Sequence, residues 1–313
     1  MEYRNLGRSG LQVSAIGLGC NNFGGRCDAT QTAAVVHAAL DLGVTLVDTA
    51  DVYGGRGKSE EFLGAALKGR RHAVVLATKF ASPMGDGPMQ SGASRAYILR
   101  AVEASLRRLD TDYVDLYQQH RFDPVTPVEE TLHALDDLVR SGKVRYIGNS
   151  NFKGWHIASA HWIAQTQHLT SFISAQNEYS LLNRKVEEEI APASRAFGLG
   201  ILPYSPLGSG MLTGKYVRHE PGPAGARLSE PGRGSARWLT DRNYELVEKL
   251  RAFAQGAGHT PLELAIAWLA AQPHVGSVIA GATTPDQVRQ NVAAGAWVLG
   301  QAELATVDEL TKA

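Results

Sequence analysis

Cysteine is scarce: the 313-residue chain has two, Cys20 and Cys27. Two thiols cannot make the web of bridges that holds a small secreted scaffold, and without histidines nearby they make no metal cluster. Neither a disulfide framework nor a metal centre is expected, and the pair reads as small apolar filler. Long apolar runs are absent as well. No stretch of 18 such residues occurs, which excludes a hydrophobic helix able to span a bilayer. Net charge is missing too: 31 basic side chains balance 31 acidic ones, so nothing marks the chain for nucleic acid or an anionic membrane. A local cationic patch for a small phosphorylated ligand stays open. The start, Met1-Glu2-Tyr3-Arg4-Asn5, lacks the basic-then-apolar layout of a secretory signal, so the cytoplasm is the expected location.

Apolar residues make up 44% and charged residues 20%, enough to bury a large core. Short, mostly apolar runs alternate with helical patterns. The runs are Ala15–Leu18, Val44–Val47, Val74–Thr78, Tyr113–Tyr117, Val144–Gly148, Phe172–Ser174, Gly200–Leu202 and Ser277–Ile279. Apolar on both faces, they read as buried parallel strands. Between them, Ile98, Val102, Leu106 and Leu109 form one helical stripe. Val128, Leu132, Leu135 and Leu138 form a second; Leu262, Ile266 and Leu269 a third. Thr126-Pro127 and Thr260-Pro261 mark helix starts, a cap followed by proline.

Eight strand–helix units that close on themselves leave no open sheet edge. The expected fold is therefore a (β/α)₈ TIM barrel, one domain over residues 1–313, with long loops at the C-terminal side. Two segments break the rhythm. Residues 1–13 predict an N-terminal β-hairpin turning at Arg8-Ser9-Gly10 and closing the barrel bottom. Arg218 to Arg237, rich in Gly, Pro, Ser and Arg, is too long for an ordinary connection and reads as a functional lid or a disordered loop.

Barrel chemistry sits at the C-terminal ends of several strands. Asp48, Lys79 and His120 each come directly after an apolar run, and Tyr53 lies five residues beyond Asp48. Each has a plainer role: helix cap, solvated lysine, structural histidine, loop tyrosine. Four such coincidences on adjacent strands point instead to one site. A free phenol titrates near 10, too high for a ready acid at neutral pH. A neighbouring ammonium is expected to lower it, a carboxylate to hold the ammonium, and an imidazole to orient the substrate oxygen. Tyr53 is thus the candidate proton donor, Lys79 its tuner, Asp48 the anchor and His120 the orienter. No Gly-x-Gly-x-x-Gly comes after an early strand, so a Rossmann site is not supported.

Asp48-Thr49-Ala50-Asp51-Val52-Tyr53-Gly54, Lys79 and Gln119-His120 resemble the aldo-keto reductase catalytic tetrad, in order and in context. The resemblance runs from Leu6-Gly7-Arg8-Ser9-Gly10 to Asn291. Tyr3-Arg4-Asn5-Leu6-Gly7 and Ser205-Pro206-Leu207-Gly208 are similar to the bacterial branch related to the potassium-channel β subunits. It implies hydride transfer between NAD(P)H and a small carbonyl or alcohol. Ser150, Asn151 and Gln176 are implied at the carboxamide, and Tyr204 against the nicotinamide ring. Ser205, Pro206, Leu207, Gly208, Ser209 and Gly210 are implied near the pyrophosphate, with Lys215 and Arg227 supplying charge. Gly281, Thr283, Gln287 and Asn291 match the adenosine pocket; Gly19, Cys20 and Asn21 line the cofactor near Asp48. Where many members grip the 2′-phosphate with a lysine-serine pair and an arginine, this chain has Gly281, Ala282 and Gln287. NADP(H) is the expected cofactor, with NAD(H) also usable. Cys20-Asn21-Asn22 stands where a threonine-tryptophan pair is common, implying a wider substrate pocket.

Two other readings compete. One is a cofactor-sensing binding protein like the channel subunits, against which His120 argues. The other is a barrel lyase with Lys79 as Schiff-base nucleophile, which leaves Ser150, Asn151, Gln176 and Tyr204 without a role.

Overall fold

The chain opens with a hairpin, β1 (Tyr3–Asn5) and β2 (Gln12–Ser14), paired antiparallel with Tyr3 opposite Ser14. The computed structural model describes residues 1–229 and 235–312. At the hairpin turn, the Leu6 N–H donates to the Leu11 carbonyl at 2.8 Å. Gly7 there has φ +59°, and a Cβ on it would lie 2.4 Å from the Gly198 carbonyl oxygen, so only glycine fits. Leu6 and Val13 are buried against Leu46, Ala77, Leu116, Leu202 and Ile279, so the hairpin plugs the N-terminal end of the main sheet.

The main sheet has eight parallel strands: β3 (Ile16–Gly19), β4 (Leu46–Asp48), β5 (Val75–Phe80), β6 (Val114–Gln119), β7 (Val144–Ser150), β8 (Phe172–Glu178), β9 (Gly200–Tyr204) and β10 (Val278–Gly281). Strands β3 to β9 pair in chain order, and β10 returns to β3 with Val278 beside Ile16. The seam between β9 and β10 is bridged at Ile201 and Val275, where the Ile201 N–H donates to the His274 carbonyl and the Ile201 carbonyl accepts from Gly276. The result is the (β/α)₈ barrel.

The helices are α1 (Ala29–Asp41), α2 (Tyr53–Arg56), α3 (Lys58–Ala66), α4 (Arg95–Leu109), α5 (Val128–Arg140), α6 (Gly154–Thr166), α7 (Ile190–Phe197), α8 (Ser235–Trp238), α9 (Asp241–Gly256), α10 (Pro261–Ala270), α11 (Pro285–Ala294) and α12 (Gln301–Thr311). Ile98, Val102, Leu106 and Leu109 are buried on α4, and Leu132, Leu135 and Leu138 on α5, as their spacing predicts. Thr260 caps α10 by accepting from the Glu263 N–H, with Pro261 in the first turn. Thr126 does not cap α5. Pro127 occupies the cap position, and the Thr126 hydroxyl donates instead to Asp123 at 2.7 Å. The Asp123 carboxylate, which also accepts from the Ala93 and Val125 N–H groups, draws that hydroxyl away. No helix of the described residues is long and apolar enough to cross a membrane.

Strand side chains alternate between barrel interior and helix layer. Leu46, Ala77, Leu116 and Leu202 fill the lower interior. Two residues further along the same strands, on the same face, stand Asp48, Lys79, Gln118 and Tyr204. The inward positions therefore change from apolar to polar at the C-terminal end. That change makes the site.

Candidate active site

Lys79 is wholly buried, and its ammonium donates to Asp48 Oδ2 at 2.5 Å and to the Thr49 carbonyl at 2.8 Å. The Tyr53 hydroxyl lies 3.5 Å from the same nitrogen. Asp48 Oδ1 accepts from Gln118 Nε2 and Gln176 Nε2, each at 2.9 Å. The carboxylate thus takes three donors, one of them cationic, the condition under which a buried ion pair is tolerable. Burial opposes the Lys79 charge, but Asp48 and Tyr53 outweigh it and hold the ammonium above the ordinary lysine range. Wholly buried and engaged by Asp48 and the Thr49 carbonyl, Lys79 is poorly placed to attack a substrate as a Schiff-base nucleophile.

Tyr53 begins α2, directly before Gly54 (φ +68°). A Cβ at residue 54 would stand 2.5 Å from the Phe23 carbonyl oxygen, so glycine here lets the tyrosine loop press on the loop after β3. The Tyr53 and His120 rings meet edge-on at 5.7 Å. Lowering of the phenol by Lys79 is only half of what happens. Burial raises the Tyr53 phenol, and the lysine charge pulls it back without overcoming that rise. The hydroxyl therefore keeps its proton at neutral pH, as a proton donor must. Burial, with Lys79 and Arg121 nearby, lowers the His120 imidazole to about 3, so it is neutral.

A cavity of about 950 Å³ runs from this quartet along the C-terminal rim, at the upper end for small-molecule sites. Asp48, Tyr53 and His120 line it, while Lys79 lies beneath them. Next come Ser150, Asn151, Gln176 and Tyr204. The Ser150 hydroxyl donates to the Gln176 carbonyl at 2.8 Å, and the Tyr204 hydroxyl to Asn151 Oδ1 at 2.9 Å. Asn151 Nδ2 reaches the His120 carbonyl at 2.9 Å. These groups hold one another at fixed angles around the cavity.

Ser205, Pro206, Leu207, Ser209 and Gly210 line the next part, but Gly208 does not: it faces Leu182 and Trp238. The Gly208 and Gly210 N–H groups are engaged within the turn, by the Ser205 and Leu207 carbonyls. Beyond lie Lys215 and Arg227 and, across from them, Gly19, Cys20, Asn21, Gly281, Thr283, Gln287 and Asn291. Gln287 folds back on Thr283, its Oε1 accepting from the Thr283 N–H at 2.8 Å. Arg227 donates to Asn22 at 3.2 Å, and Arg26 to the Gly225 carbonyl 199 residues away, so two loops remote in sequence clasp each other over the cavity. Burial, with Arg26 and Arg227 close by, lowers the Lys215 ammonium. Three cations gathered this tightly suit a multiply charged anion. The expected Arg218–Arg237 lid is described here as far as residue 229 and from 235; residues 230–234 lie outside the described residues.

The aldo/keto reductase family model matches residues 15–312. The chain belongs to that family. It is 38% identical over 304 residues to an uncharacterized oxidoreductase, YrpG, of Bacillus subtilis (strain 168), covering 94% of this chain and 91% of that protein. It is 40% identical over 300 residues to a probable voltage-gated potassium channel subunit beta of Oryza sativa subsp. japonica, with the same coverages. A protein of the same description from Arabidopsis thaliana is 38% identical over 300 residues. Membership in the aldo/keto reductases implies NAD(P)H-dependent oxidoreduction of small carbonyl compounds.

The donor set fits such a nucleotide. Neutral amides and an aromatic ring stand beside the quartet, and the cations stand at the far end, as a ligand with an uncharged ring and a phosphate tail requires. Sequence reasoning missed Gln118 and Arg26, and read Asn22 only as part of a widened substrate pocket, not as the partner of Arg227. Gln118 could have been found by counting two residues on from inward Leu116; Arg26 and Asn22 carry no such periodic signal, since their partners are remote in sequence.

Proposed function

We propose that this protein, acting as a single catalytic unit over residues 1–313, reduces small aldehydes and ketones with NADPH, and more slowly with NADH, Tyr53 delivering the proton. The observation that carries this reading is a phenol hydroxyl 3.5 Å from a buried ammonium, on the wall of a cavity lined by amides and cations. The nucleotide, when bound, supplies the hydride. Ser150, Asn151 and Gln176 would hold its carboxamide, Tyr204 its ring, and Lys215, Arg227 and Arg26 its phosphates. His120 orients the carbonyl oxygen toward Tyr53. As negative charge grows on that oxygen, Tyr53 gives up its proton, and Lys79 stabilises the phenolate left behind. Asp48 keeps the ammonium in place throughout. In alcohol oxidation the same groups run in reverse.

The binding-protein alternative shares the groove but has no use for a phenol, ammonium and imidazole packed together. A panel of aldehydes and ketones, monitored by loss of NADPH absorbance, tests the choice. Turnover of at least one carbonyl, abolished by Tyr53→Phe, is expected. Tight NADPH binding with no turnover of any carbonyl would favour the alternative.

A further inference from the structure

Ser82 has no part in the proton delivery by Tyr53, yet its buried hydroxyl lies 3.2 Å from His120 Nδ1. It stands two residues past the end of β5, and the residue between, Ala81, sits at φ +84°. An alanine enters the left-handed region at a steric cost, and such strain persists where surrounding contacts fix it. Those contacts are present. The Gly92 N–H donates to the Ala81 carbonyl at 3.2 Å, and the Tyr97 hydroxyl of α4 donates to the Ser82 carbonyl at 3.3 Å. The strained step ends the strand and leaves the next hydroxyl on the imidazole.

A neutral imidazole carries one proton, on either nitrogen. If Nδ1 carried it, that N–H would donate to Ser82 Oγ, and the buried serine proton would then meet no acceptor among the described residues. Nε2, the nitrogen left to the cavity, would turn a lone pair toward a carbonyl oxygen. If Ser82 donates to Nδ1, both hydroxyl and ring are satisfied and Nε2–H points its proton at the substrate. An unmade buried hydrogen bond is the costlier state, so the second arrangement wins.

We propose that Ser82 is a positioning residue that donates to His120 Nδ1, fixes the Nε2–H tautomer, and so makes His120 a hydrogen-bond donor to the substrate carbonyl. This rests on the carbonyl-orienting role of His120 in the proposed reduction, but the tautomer itself is a property of the resting enzyme. The test is nitrogen NMR of the full chain labelled with ¹⁵N-histidine, without substrate, the His120 signals being assigned by their loss in His120→Gln. The wild type is expected in the Nε2–H form near pH 7. Ser82→Ala should shift the population toward Nδ1–H and lower kcat about tenfold, the worth of one average hydrogen bond, with KM for NADPH unchanged. Ser82→Thr, which keeps the hydroxyl, should restore the tautomer and most of kcat. Because the tautomer is read with no carbonyl present, it stands or falls separately from the reduction chemistry. An Nδ1–H wild type overturns the inference. So does an unchanged tautomer in Ser82→Ala, whatever its kcat, for the serine would then act by packing alone.

Discussion

The Tyr53 hydroxyl lies 3.5 Å from the Lys79 ammonium, and the lysine is fully buried. In the proposed reduction the two act as a unit: the ammonium makes the phenolate tolerable once the proton has left. Tyr53→Phe should lower kcat by roughly 10²–10⁴-fold, the usual worth of general acid catalysis, while NADPH affinity stays near wild type. Lys79→Met should cost about as much, and the double variant little more than either alone, because groups acting together are non-additive. Strictly additive losses in kcat would separate them. Lys79→Met also leaves Asp48 without its cation, so a fall in Tm is expected, tempered by the Gln118 and Gln176 amides that still donate to Asp48.

Much of this arrangement is legible in the residue pattern. Val44–Val47 ahead of Asp48, and Val74–Thr78 ahead of Lys79, announce parallel strands through continuous apolar character, and barrel logic then places Asp48 and Lys79 at one rim. Helix stripes such as Ile98-Val102-Leu106 are equally plain because they are local and periodic. What escaped depends on contacts between remote segments. Arg26 looks like any loop arginine until Gly225 is seen to accept from it, 199 residues away. The phenol's net upward shift was hidden for another reason: the lysine's pull is visible in the residue types, whereas the opposing burial is visible only in the packing. Thr126 misled because Asp123, three residues back, outcompetes the helix end for its hydroxyl.

Asp51 offers a test of that hidden burial. It lies in the Tyr53 loop, buried, and no cation pairs with its carboxylate at short range among the described residues. Burial, then the Glu60 carboxylate of α3, raises its carboxyl to about 8; Arg108 on α4, the Val52 N–H and Lys79 on β5 hold it back. The nearby phenols of Tyr97 on α4 and Tyr117 on β6 are raised first by burial and then by the Asp51 charge. The folded chain therefore binds a proton that the unfolded chain releases near 3.9, and stability falls as pH rises from about 4 to about 8. Asp51→Asn removes that dependence. Its Tm should exceed that of the wild type by about 2 °C or more at pH 8, and the gap should narrow as pH falls, closing only near pH 4. A gap that does not change with pH would mean that Asp51 is ionised in the fold.

His120 works in the opposite sense. Its imidazole is lowered to about 3 by burial and by Lys79 and Arg121, whereas an unfolded histidine titrates near 6.5. Between those values the unfolded chain binds the extra proton, so this contribution to stability is complete above pH 6.5 and drains away as pH falls toward 3. Acid unfolding should thus be less steep in His120→Gln. Because the ring is neutral throughout, kcat/KM should show no His120 inflection from about pH 5 to 8. A break near 6.5 that vanishes in His120→Gln would contradict the neutral donor.

In the proposed reduction, cofactor choice would rest on the cations at the far end of the cavity. Gly281, Ala282 and Gln287 offer no charge to a 2′-phosphate, and the Gln287 amide is turned onto Thr283. Burial first, then Arg26 and Arg227 close by, lowers the Lys215 ammonium, and this cluster can supply charge-assisted hydrogen bonds. Each such bond is typically worth about 1.5–3 kcal/mol, roughly 10- to 150-fold in affinity. NADPH should therefore be preferred, by less than in a member with the full basic set, and NADH should support measurable turnover. Arg227→Ala should lower kcat/KM for NADPH at least about tenfold and for NADH by less than about threefold, because NADH lacks the 2′-phosphate and keeps only its pyrophosphate contacts. Arg26→Ala should act in the same direction but also loosen the clasp on Gly225, so its KM for both nucleotides should rise somewhat. All these comparisons must be made at one salt concentration, since screening alone changes contacts of this kind. A wild type that prefers NADH, or an Arg227→Ala variant that weakens both nucleotides equally, would place the 2′-phosphate elsewhere. The quartet at the other end of the cavity would be untouched by that result, because Asp48, Lys79 and Tyr53 are held by one another and by Gln118 and Gln176.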